Sequence, residues 1–171
     1  MATKIKNDLK EEYQGIKYIL TSTMRTKLLL SIYNESKNLD DLRIELEKPS
    51  ATILHGLKEL ENLNFVKKVQ KYYQLTSNGY LLTTNMIKLI DNWYATNKNE
   101  DFWNSHDLTA IPQENLKNIY LLKNAECISS TTSNLSKAYN SYTKLIENVE
   151  ELKITLPIFS ENHLRQIVQL I

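Results

Sequence analysis

The sequence predicts an α+β fold, mainly α, divided into two regions. Apolar residues recur at helical spacing in several segments of the 171-residue chain. Two short runs at 65–75, rich in β-branched and aromatic residues, lie between predicted helices. A polar stretch without periodicity follows at 96–115. We therefore expect one domain over 1–95, a linker or hinge over 96–115, and a partial α/β domain over 116–171.

Composition and charge narrow the possible classes of protein. The chain is 42% hydrophobic and 24% charged, as in ordinary globular domains. Residues 1–91 carry 14 Lys/Arg against 11 Asp/Glu, whereas 92–171 carry 7 against 9, which slightly favours a polyanion partner for the first region. Cys127 is the single cysteine, so no internal disulfide is expected. No apolar run approaches the roughly 20 residues of a membrane span, and no signal-peptide core is found, so we expect a cytoplasmic protein without a membrane partner.

Four helices are predicted before residue 65, over 8–20, 21–34, 38–47 and 50–63. Their predicted inward stripes are Leu9, Tyr13, Ile16 and Leu20; Met24, Leu28 and Ile32; Leu39, Leu42 and Leu46; and Ile53, Leu57, Leu60 and Leu63. Asn38 is expected to cap the third helix, and Ser50 the fourth. Pro49 stops the third helix because proline cannot continue its hydrogen-bond ladder.

The segment FVKKVQKYYQLT predicts two short strands that turn near Gln70-Lys71. Thr76 is expected to cap a last helix, and its apolar stripe is Leu82, Met86, Ile90 and Trp93. The order helix, helix, turn, helix, hairpin, helix is typical of a winged helix-turn-helix domain.

This order of elements predicts DNA binding. A recognition helix at about 50–63 enters the major groove, and a wing over 65–75 lies on the backbone, where lysines supply affinity independent of sequence. The residues expected to contact DNA are Ser50, Thr52, His55, Lys58, Lys67, Lys68 and Lys71. Leu54 lies near the reading face, where a small polar residue would be easier to explain. The alternative for any one of these lysines is an ordinary solvated surface.

The last stripe, Leu82, Met86, Ile90 and Trp93, has two interpretations. It closes the small core, or it pairs with its two-fold mate, together with the helix of Leu9, Tyr13 and Ile16. We favour a homodimer because a palindromic site places its half-sites about one helical turn apart. Tandem binding by monomers is the alternative.

The second region predicts a β-α-β-α fragment. Strands are expected over 126–132, with Cys127 buried, and over 154–159; a long helix over 134–152 lies between them. Ser129, Ser130 and Thr131 would follow the first strand, where α/β sheets often bind ligands, so they are candidates for an effector site. Ordinary helix capping is the favoured alternative.

Two kinds of chemistry are not expected. His55, His106, His163 and Cys127 lack metal-ligand spacing, and no glycine-rich phosphate loop is found, so we expect neither a metal nor another cofactor. Ser105, His106 and Asp107 invite a catalytic interpretation, but neighbours in sequence rarely form a working nucleophile and base. We expect Asp107 to close a turn while Phe102 and Trp103 anchor the linker, and we expect no enzyme.

Two segments resemble a known family. PSATILHGLKELENLNFVKKVQKYYQLTSNGYLL resembles the DNA-binding domain of archaeal winged-helix regulators. FWNSHDLTAIPQENLKNIYLL is similar to the start of the middle domain in methanogen regulators typified by the methanogenesis regulatory protein, which are also likened to TrmB-type regulators.

The resemblance implies a transcriptional regulator that binds double-stranded DNA and responds to an unknown small-molecule effector through an α/β domain. Such regulators usually continue well past the point where this chain ends, so the sensor domain is expected to be truncated or completed by a partner chain. A winged helix that binds another protein, without DNA, is the second hypothesis.

Overall fold

The structure, a computed structural model, describes residues 13–146 together with 149, 151, 161, 165 and 168. Over these residues the protein is mainly helical and contains one two-stranded antiparallel sheet, which confirms the predicted α+β, mainly α class. The described residues form two compact units. The first comprises 13–98 and Ile111–Lys123, and the second comprises Asn99–Ala110 and the described residues from Asn124 onward.

Helices account for most of the described residues. In chain order they are α1 (described over 13–20), α2 (Thr23–Ile32), α3 (Leu39–Leu46), α4 (Ser50–Asn62), α5 (Ser77–Lys98), α6 (Glu100–Ser105), α7 (Gln113–Leu116), a 3-10 helix (Ile119–Leu122) and α8 (Lys137–Ile146). The strands are β1 (Val66–Val69) and β2 (Tyr72–Leu75). Among the described residues, α6 and α8 belong to the second unit, and the other elements belong to the first.

The core of the first unit lies where α2, α3 and α4 meet the hairpin. Its buried residues are Ile19, Leu28, Leu29, Ile32, Leu42, Ile53, Leu57, Leu60, Val66, Tyr73 and Met86. The predicted stripes of α2, α3 and α4 are therefore confirmed, apart from Leu63. That residue is exposed because α4 ends at Asn62 and the chain turns through Asn64, whose φ of 57° is left-handed.

The inward stripe predicted for the first helix is wrong. Ile19 is the residue of α1 that reaches the core, whereas Tyr13, Ile16 and Leu20 are exposed. Only two residues connect α1 to α2, and this short connection turns Ile19 onto the core and leaves the stripe outward. Leu9 lies outside the described residues.

The capping box at the start of α3 confirms the expectation for Asn38. Its side-chain oxygen accepts hydrogen bonds from the amides of Asp40 and Asp41, at 2.8 and 3.0 Å. The Asp41 carboxylate in turn accepts the amide of Asn38 at 3.0 Å. These bonds satisfy amides that have no partner within the helix, so the start of α3 is fixed by local sequence.

The start of α4 is organised differently from the prediction. Ser50 is the first helical residue, the capping position belongs to Pro49, and no side chain supplies a cap. The extended Pro49 (φ −58°, ψ 144°) directs its carbonyl to accept the amides of Thr52 and Ile53, at 3.0 and 3.2 Å. The expected cap by Ser50 is therefore wrong, because the proline backbone sets this helix start.

Gly56 allows α2 and α4 to pack closely. A Cβ at this position would lie 2.7 Å from Leu28 Cδ1 and 3.0 Å from Met24 Cγ. Both distances are tighter than an ordinary van der Waals contact, so a larger residue here would require the Leu28 and Met24 side chains to shift.

The hairpin confirms the predicted strands and their turn. β1 and β2 pair antiparallel from Val66 opposite Leu75 to Val69 opposite Tyr72, and Gln70 in the turn has a left-handed φ of 56°. The backbone of Lys37, just before α3, joins the other edge of β2. Lys37 donates its amide to the Tyr73 carbonyl at 3.0 Å and accepts the Tyr73 amide at 2.8 Å. The wing is thereby tied to the helix-turn-helix.

The start of α5 is fixed by a cap and a close approach. Thr76 Oγ1 accepts the amide of Gly79 at 3.1 Å, which confirms the predicted cap. A Cβ on Gly79 would lie 1.9 Å from the carbonyl oxygen of Phe65. Because that oxygen belongs to the backbone, no rotamer change can relieve the clash.

The 3-10 helix Ile119–Leu122 packs along α5 within the first unit. The Lys123 ammonium lies 2.9 Å from the Asp91 carboxylate, and the Lys88 ammonium lies 5.3 Å from the centre of the Tyr120 ring. The sequence analysis assigned this segment to the start of the second domain. In the structure its contacts are with α5 of the first unit.

The second unit contains α6 and α8 among its described residues. On α6, the rings of Phe102 and Trp103 meet edge to face with centroids 5.1 Å apart. The strand predicted over 126–132 is wrong: this stretch has only an isolated bridge between Thr131 and Asn134, and Cys127 is exposed rather than buried. A strand requires a partner strand, and the second predicted strand, 154–159, lies outside the described residues. The helix predicted over 134–152 is described over Lys137–Ile146.

No helix in the described ranges is long and apolar enough to cross a membrane.

We predict that Gly79→Ala destabilises the protein by about 3 kcal/mol, the upper end of the cost of overpacking, because a backbone oxygen occupies the space for the methyl group. Gly56→Ala should cost less, because it meets side-chain atoms and gains roughly 1 kcal/mol of helix propensity. Gly15→Ala is the matched control, since nothing lies within 4 Å of its Cβ. Urea denaturation measures all three. Equal stability of Gly79→Ala and wild type would contradict the described approach of α5 to Phe65.

Candidate nucleic-acid interface

Helix α4 is buried along one side and open along the other. Its buried residues are Ile53, Gly56, Leu57 and Leu60. The predicted reading residues Thr52, His55 and Lys58 are exposed, and Ser50 is half-buried at the helix start. A helix with one free face can be accepted by a major groove, because its other face holds it to the protein.

An open groove of about 530 Å³ lies along one flank of α4, beside the start of α2. Its lining residues are Ser22, Met24, Arg25, Ala51, Thr52, His55, Gly56 and Glu59. The groove divides the predicted reading residues, because Thr52 and His55 line it whereas Lys58 does not. Leu54 is also outside the lining, although it is 42% exposed.

A hydrogen-bonded network holds this flank of α4 to α1 and α2. The Arg25 guanidinium donates to the Glu59 carboxylate at 2.8 Å and twice to the carbonyl of Tyr18, at 2.6 and 3.0 Å. It also stacks on the Tyr18 ring, 3.7 Å from its centre. The Tyr18 hydroxyl donates to the other Glu59 oxygen at 2.6 Å. Three elements are thus joined through one carboxylate.

The network shifts the pKa values of its members. The hydrogen bond from the Tyr18 hydroxyl, followed by that from Arg25, lowers the pKa of Glu59 below its ordinary value. The same bond raises the pKa of Tyr18. His55 Nδ1 lies 3.5 Å from the Glu59 carboxylate, so Glu59 also influences the position of a predicted reading residue. Sequence reasoning missed the network; the spacing of His55 and Glu59 by four residues was the only local signal.

The wing separates the three predicted phosphate-contacting lysines onto two faces. Lys67 lies opposite Gln74, whereas Lys68 lies opposite the buried Tyr73, and successive side chains of a strand point to opposite faces. The Lys68 ammonium lies 5.2 Å from the centre of the Tyr73 ring. The Lys71 ammonium lies 5.5 Å from that of Tyr72, on the face of Lys67. Lys67 and Lys71 therefore share the outer face of the wing.

The stripe predicted for dimerisation is divided along α5. Met86 is buried in the core, and Leu82 is partly buried against it. Ile90 and Trp93 are exposed, Trp93 by 65%. The first half of the stripe therefore closes the core, and the second half is an apolar surface.

The segment around His106 has the geometry of a turn. Asp107 Oδ1 accepts the amide of Thr109 at 2.9 Å, which confirms the turn-closing role and lowers the pKa of Asp107. His106 Nδ1 and Ser105 Oγ both bond to the Phe102 carbonyl, at 2.7 and 3.0 Å. Because a carbonyl only accepts, Nδ1 carries the proton in this arrangement and cannot accept one from Ser105.

The candidate effector residues make local contacts in the second unit. Ser130 Oγ accepts the amide of Ala138 at 3.3 Å, and Thr131 Oγ1 accepts the amide of Asn134 at 3.2 Å. Ser130 thus satisfies an amide in the first turn of α8, whereas Thr131 closes a turn that precedes the helix. The effector role of Ser129, Ser130 and Thr131 stays a prediction. Ser129 is exposed. Across the part of the chain that the structure describes, no group of three or more His, Cys, Asp or Glu residues is placed to hold a metal ion.

Comparison with known proteins finds a similarity that lies within the first unit. Residues 13–93 match the family model described as "Methanogenesis regulatory protein FilR1, N-terminal domain". Over these 81 residues the chain is similar to that N-terminal domain. The match runs from α1 into α5 and confirms the family that the sequence resembles. The matched region includes α4 and the wing.

Two further comparisons extend beyond this domain. The chain is 21% identical over 154 residues to the methanogenesis regulatory protein FilR1 of Methanothrix harundinacea (strain 6Ac), covering 88% of this chain and 34% of that relative. The chain therefore spans about a third of the length of the relative. Among solved structures, "Crystal structure of T. acidophilum IdeR" matches with a TM-score of 0.34 and 13% identity, covering 70% of this chain and 52% of that one. A similarity at this TM-score and identity does not establish a shared fold or function.

We predict that the Glu59 network makes stability depend on pH. Since the folded-state pKa of Glu59 lies below its ordinary value of 4.5, its contribution is complete above that value and is lost as pH falls through the folded-state pKa. The unfolding free energy of wild type should exceed that of Glu59→Gln at pH 7, and the difference should shrink below pH 4.5.

Urea denaturation across this pH range measures the difference. Glu61→Gln is the control, because the Glu61 carboxylate forms no ion pair with the described residues. A difference between wild type and Glu59→Gln that does not change with pH would contradict the role of the Glu59 charge.

Proposed function

We propose that this chain is a sequence-specific DNA-binding transcriptional regulator in which α4 enters the major groove. One observation carries the proposal: α4 is buried on one side only, and exposes Thr52, His55 and Lys58 on the other. The family match supports it, since the related protein is named a regulatory protein. Proline-directed entry into α4 fixes the end of the helix that would approach the bases.

In this proposal the wing lies on the DNA backbone. Lys67 and Lys71 share its outer face and supply two charges to neighbouring phosphates. Lys68 lies above the Tyr73 ring and supplies a third from the other face. The backbone bridge between Lys37 and Tyr73 holds the wing at a fixed place relative to the helix-turn-helix.

The proposed regulator acts as a homodimer through the end of α5. Ile90 and Trp93 are the exposed half of the apolar stripe. Association of two copies there would remove this surface from water, and it would present two copies of α4 to a palindromic site.

We predict that Lys67/Lys68/Lys71→Ala weakens binding to the DNA upstream of the gene and flattens its salt dependence. The slope of log K against log salt should fall by about 0.9 for each phosphate that the variant no longer neutralises. Fluorescence anisotropy over a salt series measures both the affinity and the slope. The matched control is Lys98/Lys117/Lys144→Ala, which removes the same charge from exposed positions outside α4 and the wing.

If both triple variants show the same slope of log K against log salt as wild type, the proposed wing contacts are wrong. If the wild-type protein binds neither upstream DNA nor random duplexes, even at low salt, the DNA-binding proposal is wrong.

We predict that Ile90→Asp/Trp93→Asp produces monomers, because two charges would be desolvated at the interface between copies. Light scattering after gel filtration measures the mass, and anisotropy should show weaker binding to a full palindrome with unchanged binding to a half-site. Leu81→Asp is the control, since it places a charge on an exposed leucine at the other end of α5. A wild-type protein that is already monomeric on DNA would contradict the dimer.

The second candidate function is a winged helix that binds another protein instead of DNA. Two exposed apolar residues of the helix-turn-helix favour it: Ile44 on α3, 73% exposed, and Leu54 on α4. Protein binding becomes the favoured function if the wild-type protein binds no DNA duplex.

A further inference from the structure

Leu54 is a large apolar residue of α4 that faces away from the core. Its neighbours Ile53 and Leu57 are buried, whereas Leu54 itself is 42% exposed. On a helix, Leu54 adjoins Ala51, three residues before it, and Lys58, four residues after it, and both are exposed. A leucine thus lies between a methyl side chain and an ammonium group on the face that the proposed function directs into DNA.

The chemistry of leucine limits what it can recognise there. Its side chain neither donates nor accepts hydrogen bonds, so it cannot read the polar edges of guanine, cytosine or adenine. The thymine C5-methyl is the one apolar group that a base presents in the major groove. A polar base edge against Leu54 would instead lose water without gaining a hydrogen bond, which is unfavourable.

We infer that Leu54 is a specificity-determining residue that packs against the C5-methyl group of a thymine. The inference rests on the proposed function and deepens it. Recognition has two parts: the methyl contact favours thymine, and the unpaired polar edge disfavours the other bases at the same position. Lys58, one turn further along α4, is then close to the phosphates that flank this base.

Replacing thymine by deoxyuridine tests the inference, because it removes the methyl and leaves every base-pairing group and phosphate in place. The probe is the tightest-binding duplex recovered by this chain from a random-sequence pool, with each thymine replaced in turn. Anisotropy then compares wild type and Leu54→Ala on each duplex. We expect the affinity of wild type to fall about fourfold at one thymine per half-site, the equivalent of one methyl group removed from water. Leu54→Ala should bind the thymine duplex more weakly than wild type and should show no further decrease on deoxyuridine.

One variant controls this comparison. Leu81→Ala removes an exposed leucine from α5 and should behave as wild type throughout.

The outcomes separate this inference from the function on which it rests. Equal wild-type affinity for thymine and deoxyuridine at every position overturns the role of Leu54 while DNA binding stands. A penalty that persists in Leu54→Ala also overturns it. Failure of the random pool to yield any bound duplex overturns the proposed function itself.

Discussion

The contact between α2 and α4 at Gly56 is the constraint on which the candidate interface depends. The side chains of Leu28 and Met24 occupy the space beside Gly56 where a Cβ would lie, at 2.7 and 3.0 Å from that position. This approach, with Ile53 and Leu57 fully buried, fixes both the position of α4 and its rotation about its own axis. The rotation decides which residues face outward. Since that face belongs to a rigid helix, its side chains keep their spacing without support from the rest of the chain.

Local signals predicted most of the first unit, because the interactions that define it are local. The capping box of Asn38, the β-branched and aromatic hairpin and the stripes of α2 to α4 each depend on residues within a few positions. The Arg25–Glu59 contact joins residues 34 positions apart, and no periodicity reports it. At 126–132, by contrast, the sequence predicted an element that the structure does not contain. A short run of suitable residues indicates a strand, but it does not indicate whether a partner strand lies beside it.

Periodicity also left the role of α5 undecided, for a physical reason. Hydrophobic spacing shows that a helix has an apolar face, but not whether that face meets the same chain or another one. The first part of the α5 stripe meets the core of the same chain, since Met86 is buried. The second part is exposed to solvent at Trp93. The candidate residues on α4 were easier to predict, because the face opposite a well-defined apolar stripe is usually polar. Leu54 is an apolar residue on that polar face, and this departure from the pattern singles it out.

The hairpin has one edge covered and one edge open. Lys37 occupies the outer edge of β2 at Tyr73, whereas among the described residues no strand lies beside β1. An open edge offers unpaired amides and carbonyls to any extended chain, and lysines on such an edge discourage that pairing. Lys67 and Lys68 are exposed residues of β1 and place positive charge along this edge. The same charge that would attract an anionic partner therefore also opposes pairing with the edge of a second hairpin.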